Sequence, residues 1–74
     1  MACTIAVMDE SERVILALII DFSEGGIAAL ATEAVAEGTL VSVKWGNSLA
    51  YGEVRSCKIG PHGFRIGIAV QSRE

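Results

Sequence analysis

The chain has 74 residues, 51% of them apolar, and a formal net charge of −3. A length below that of a typical domain leaves room for one core, so residues 1–74 are read as a single domain. The acidic balance argues against sequence-independent DNA or RNA binding, which needs a basic face to displace counterions, and the longest apolar run, Val14 to Ile20, is far short of the roughly 20 residues of a membrane span.

The first apolar segment, Thr4 to Met8, reads as a short strand that ends in a solvated acidic turn, Asp9 to Glu12. Val14 to Ile20 is rich in β-branched residues, has strand length and stops at Ser23-Glu24-Gly25-Gly26, which predicts a strand buried on much of both faces. From Ile27 the alanines and glutamates favour helix while the flanking glycines favour a strand followed by a loop. The expectation is a strand to about Thr32 and then irregular chain.

Leu40 to Trp45 alternates, with Val41, Val43 and Trp45 on one face and Leu40, Ser42 and Lys44 on the other. Gly46-Asn47-Ser48 supplies a hairpin turn into a strand over Leu49 to Ile59, where Gly52 interrupts the alternation and marks a candidate bulge. Gly60-Pro61-His62-Gly63 has the chemistry of a type I turn. It leads into the clearest period-two pattern of the chain: Phe64, Ile66, Ile68 and Val70 on one side, Arg65, Gly67, Ala69 and Gln71 on the other. About six antiparallel strands in so short a chain avoid exposed edges by closing, so the expected fold is all-β, a six-stranded antiparallel β-barrel.

A folded chain this short buries only roughly 60% of its unfolded surface, while the mean hydropathy is +0.48. Some apolar surface is therefore expected outside, where it implies a protein partner or a second copy of the chain. The start carries no basic segment ahead of an apolar one, so no signal peptide is read and a cytoplasmic location is expected. In that compartment Cys3 and Cys57 are expected as reduced thiols packed as small hydrophobes. Charge is uneven: Arg13 is the one basic side chain up to residue 43, whereas Lys44, Arg55, Lys58, Arg65 and Arg73 follow it. A small anion would find its counter-charges in the second half, although solvated strand faces also account for them.

The chemistry of an enzyme is not legible. His62 is the one histidine and sits at a turn, no Cys-x-x-Cys pair occurs, and Gly60, Gly63 and Gly67 do not form a dinucleotide-binding frame. The chain is expected to bind rather than catalyse, with no cofactor or metal. One cluster stands out, Asp21-Phe22-Ser23-Glu24-Gly25-Gly26. Asp21 offers a carboxylate that accepts two N–H donors from a planar base edge, Ser23 offers a hydroxyl, and Gly25 and Gly26 offer backbone that a flat ligand approaches closely. The same residue types also make an ordinary side-chain-bonded turn.

On these residues the chain resembles the PilZ family, whose Asp/Asn-x-Ser-x-x-Gly motif is matched by Asp21, Ser23 and Gly26. The run before Asp21, the strand from Gly38 to Trp45, Tyr51-Gly52-Glu53-Val54-Arg55 and the ending Gly63-Phe64-Arg65-Ile66-Gly67-Ile68-Ala69-Val70 fall in that family's order, so the resemblance covers nearly the whole chain. It implies a six-stranded barrel acting as receptor or adaptor for cyclic di-GMP, a bacterial second messenger controlling motility and biofilm formation. Asp21 and Ser23 would contact a guanine, and Gly25 and Gly26 would keep the wall clear of side chains beneath the base.

The chain departs from the family at the Arg-x-x-x-Arg motif that precedes the first strand and grips phosphates and guanine edges. Only Arg13 lies before Asp21, and the chain opening at Met1 leads us to expect no upstream segment that would supply the pair. Losing two charge-assisted contacts at roughly 1.5–3 kcal/mol each weakens binding by several powers of ten. Substitute charge would have to come from Arg55, Lys58 or Arg65. Two functions are therefore expected: a cyclic di-GMP module with a weakened site, or a degenerate PilZ-like adaptor that binds itself or a signalling or pilus-assembly partner without nucleotide.

Overall fold

The computed structural model describes residues 1–9 and 13–74. Six strands occur, β1 (Ala2–Val7), β2 (Val14–Ser23), β3 (Gly26–Ala31), β4 (Leu40–Trp45), β5 (Ser48–Gly60) and β6 (Gly63–Arg73), and no helix lies among the described residues. No helix long and apolar enough to cross a membrane is present there. Every neighbouring pair is antiparallel and the order β1-β2-β3-β6-β5-β4 closes on itself through β1 and β4, so the expected six-stranded antiparallel barrel is the fold. The acidic turn read at Asp9 to Glu12 lies outside the described residues beyond Asp9.

The alternation of each strand sends one row inward. Ile5, Ile15, Val41, Val43, Val54 and Ile66 are almost fully buried at the centre, with Ala29, Ala31 and Ala50 filling the narrow space between them. Cys3 belongs to this core and Cys57 packs against it, and neither is disulfide-bonded. Desolvation by burial raises the Cys3 thiol above its ordinary range, against a smaller lowering by the amino terminus.

Residues 32–39 run from β3 to β4, which stand opposite each other in the barrel, and so cross its mouth. Val35, 2% exposed, plugs that mouth. The crossing is held by Gly38 N donating to Val54 O at 2.8 Å, by Thr32 Oγ1 donating to Leu16 O at 3.3 Å, and by Arg13, whose Nη2 donates to Ala34 O at 2.8 Å and lies 3.6 Å from Glu33 Oε1. At the other end Phe22 and Trp45 meet with ring centroids 5.5 Å apart.

The reading of Val14 to Ile20 as buried on much of both faces is corrected. Ile15, Ala17 and Ile19 are buried, but Val14, Leu16, Leu18 and Ile20 are 55%, 67%, 51% and 46% exposed. A closed barrel has one interior, and among the described residues nothing covers the outward face of β2.

The turns follow local chemistry. Gly25, Gly46 and Gly63 have φ of +82°, +54° and +126°, a region that residues with a Cβ avoid. Gly52 does mark a register shift, with Tyr51 paired to Ser72 and Gly52 to Val70 so that the extra residue, Gln71, belongs to β6. A Cβ on Gly52 would lie 2.3 Å from Ala69 O, so only glycine lets β5 and β6 approach there.

Candidate functional site

Asp21, Ser23, Gly25 and Gly26 come together at one end of the β2–β3 hairpin, on the outer face of the barrel, where they border an open groove of about 370 Å³. Glu24, Ile27, Ala28, Arg55, Gly67, Ile68 and Ala69 complete its lining. Two ladder rows explain the shape. Asp21 pairs with Ala28, Ala28 with Gly67 and Gly67 with Ser56; one step along, Ser23 pairs with Gly26, Gly26 with Ala69 and Ala69 with Glu53. In these two rows the middle strands contribute Ala28, Gly67, Gly26 and Ala69, a floor of small residues between polar groups on β2 and β5, while Ile27 and Ile68, which also border the groove, are buried.

Both polar rims are made by β-bulges. In β2, Ile19 pairs with Ala29 and Asp21 with Ala28, leaving Ile20 as the extra residue. Continued alternation would have turned Asp21 and Ser23 into the core and Phe22 out. The bulge reverses this, sending Phe22 in register with buried Ile27 toward Trp45 and the two polar side chains outward. In β5, Val54 pairs with Ile68 and Ser56 with Gly67, so Arg55 is the extra residue. That shift keeps Cys57 against the core and leaves Arg55 and Ser56 both facing the Asp21 row.

Arg55, 34 positions after Asp21, therefore borders the same groove, whereas Lys58 and Arg65 do not. Those two are paired with each other and, through Leu30 and Leu18, occupy the next outward row, about 7 Å along the strands. Apart from those of Arg13, the described residues form no ion pair, so the Asp21 carboxylate and Arg55 guanidinium are not engaged with protein charges there.

Small residues at two positions are set by close approach. A Cβ on Gly26 would sit 3.0 Å from Ser23 Oγ, and one on Gly67 would sit 2.7 Å from Ser56 Oγ, so both hydroxyls lie over glycine. Gly25 has open space around it and is required for its backbone conformation instead.

The sequence pattern missed Ala28, Gly67 and Ala69 as parts of this site, whereas Arg55 is one of the three cations it offers as substitute charge. The signal available was the spacing of inward residues, which steps by three from Ile19 to Phe22 and again from Val54 to Cys57 where an unbroken strand steps by two. No group of three or more His, Cys, Asp or Glu side chains that could hold a metal ion occurs among the described residues. No known protein family, curated protein or solved structure matches the chain.

Proposed function

We propose that the chain is a PilZ-like cyclic di-GMP signalling module whose groove takes one guanine and the adjoining phosphate. The observation that carries this reading is Arg55 at the rim facing Asp21 and Ser23 across a floor of Gly26, Ala28, Gly67 and Ala69. A guanine edge offers N–H donors in one plane, which suits a carboxylate, and a phosphate oxygen suits the fork of an arginine. The small floor lets a flat base lie close to the sheet.

The same geometry bounds the affinity. The groove carries Asp21 and Glu24 against Arg55, and a doubly anionic ligand meets one guanidinium instead of the pair that the family's arginine motif supplies. Lys58 and Arg65 add only longer-range attraction, which salt screens over about 10 Å. Binding weaker by several powers of ten than at a complete site is the expected consequence.

The test is thermal unfolding with and without cyclic di-GMP. Ligand at 100 times its dissociation constant adds about 2.7 kcal/mol, or roughly 10 °C or more for a domain of this size. The shift should vanish in Asp21→Ala and shrink in Arg55→Ala, and no shift at millimolar nucleotide would overturn the reading. The aliphatic outer row of β2 favours a second reading, an adaptor that associates through protein contacts alone.

A further inference from the structure

We infer that the outward face of β2 is an interface between two copies of this chain, formed face to face around Leu16. It does not depend on the nucleotide reading. Val14, Leu16, Leu18 and Ile20 stand in one outward row with no charged residue between Arg13 and Asp21, and the cores of protein interfaces are depleted in charge in the same way. The barrel is closed, so every strand already has two partners and no edge is left for pairing between chains. Association must therefore use side chains on the outer faces.

The surface around Leu16 is complementary to itself. Leu16, 67% exposed, is the most prominent residue of the row. Beside it runs an apolar groove of about 350 Å³ walled by Leu16, Leu18, Leu30, Thr32 and His62. On its other side Ala2, Thr4, Lys44 and Trp45 border a second hollow. A projecting leucine next to an apolar hollow is what a two-fold contact needs: each copy's Leu16 enters the other's groove, and one patch serves both sides.

The area is adequate. The four β2 side chains with Leu30 and the groove walls offer on the order of 500 Å² per copy, about 1,000 Å² for the pair, which is the size of a weak, transient interface and short of the roughly 1,200 Å² at which stable ones begin. That size fits a dimer that dissociates on dilution.

Sedimentation velocity over a concentration series, with Leu16→Glu beside the native chain, tests the inference. The native chain should reach the mass of two chains in the micromolar range or above, and Leu16→Glu should remain at the mass of one with an unchanged far-ultraviolet circular dichroism spectrum. Mixing Leu16→Glu with Leu16→Lys should restore the double mass, because the two positions approach each other across the two-fold axis. If Leu16→Glu does not fold, Leu18→Ser is measured in its place, with the same loss of the dimer expected. A native chain of single mass at every concentration would overturn the inference, leaving the face to another occupant. A dimer that survives the substitution would place the contact elsewhere and overturn it equally.

Discussion

The outward side of β2 changes character at a single residue. Before the bulge it presents Val14, Leu16, Leu18 and Ile20; after it, Asp21 and Ser23. The inward side runs through buried Ile15, Ala17 and Ile19 to Phe22, which at the end of the barrel is 42% exposed and meets the Trp45 ring. One strand thus serves two surfaces of different chemistry, an aliphatic one suited to protein contact and a polar one bordering the groove. What separates them is the extra residue, which restarts the alternation so that Phe22 turns toward Trp45 at the barrel end and Asp21 comes out. Composition would have assigned both stretches by hydropathy, but position relative to the bulge decides which side chains meet water.

The sharpest way to break the comparison is across one peptide bond. Ile15→Ala, at 1% exposure, should destabilise by about 2–5 kcal/mol through lost burial and the cavity left behind. Leu16→Ala should move the stability of the single chain by no more than about 0.5 kcal/mol. Denaturant unfolding at concentrations where the chain is monomeric reads both, and equal losses would show that the outer row is packed within the monomer.

Deleting Ile20 attacks the boundary itself. It should turn Asp21 inward and Phe22 outward, costing about 3 kcal/mol from a desolvated carboxylate and the lost Phe22–Trp45 contact. Tryptophan fluorescence during unfolding should report both the lower midpoint and a more exposed indole. Unchanged stability and fluorescence would show that the hairpin absorbs the deletion without reversing the faces.

Gly25→Ala acts at the end of the polar stretch and should cost about 1–2 kcal/mol, because alanine is strained at φ +82° although nothing crowds its Cβ. A drop of roughly 4–8 °C in melting temperature per kcal/mol makes this readable. An unchanged melting temperature would mean that the turn relaxes freely and does not fix the groove rim.

The smallest effect concerns pH and the inner row. Burial raises the Cys3 thiol because the interior favours its neutral form. Its contribution to stability is therefore fully present below the ordinary thiol range and is lost as pH rises through the raised value. Alkaline destabilisation should be smaller in Cys3→Ala, and an uncharged alkylating reagent should label half-buried Cys57 ahead of Cys3. Equal labelling rates would show that β1 opens readily.

Much of the fold is legible in the amino-acid sequence. The period of two in Leu40 to Trp45 and Phe64 to Val70, the glycines at the turns and the shortage of residues for covering a sheet pointed to a closed barrel, and β4 and β6 face as their patterns indicate. Asp21, Ser23, Gly25 and Gly26 were legible as one cluster because they are neighbours in the chain. Val14 to Ile20 was misread because a run apolar at every position carries no alternation, so nothing local tells the inward residues from the outward ones.

Local spacing and conformational preference are properties of the amino-acid sequence itself, and they determined the strand segments, the turn positions, the alternation of β4 and β6 and the contiguous half of the groove. Tertiary structure decided the rest. Closure made one face of β2 interior and left the other to solvent, and the bulges at Ile20 and Arg55 set which side chains point outward. Arg55 faces Asp21 only because β3 and β6 lie between β2 and β5 and carry small residues there, a relation created by register across four strands. Register depends on long-range pairing, and no stretch of neighbouring residues encodes it alone.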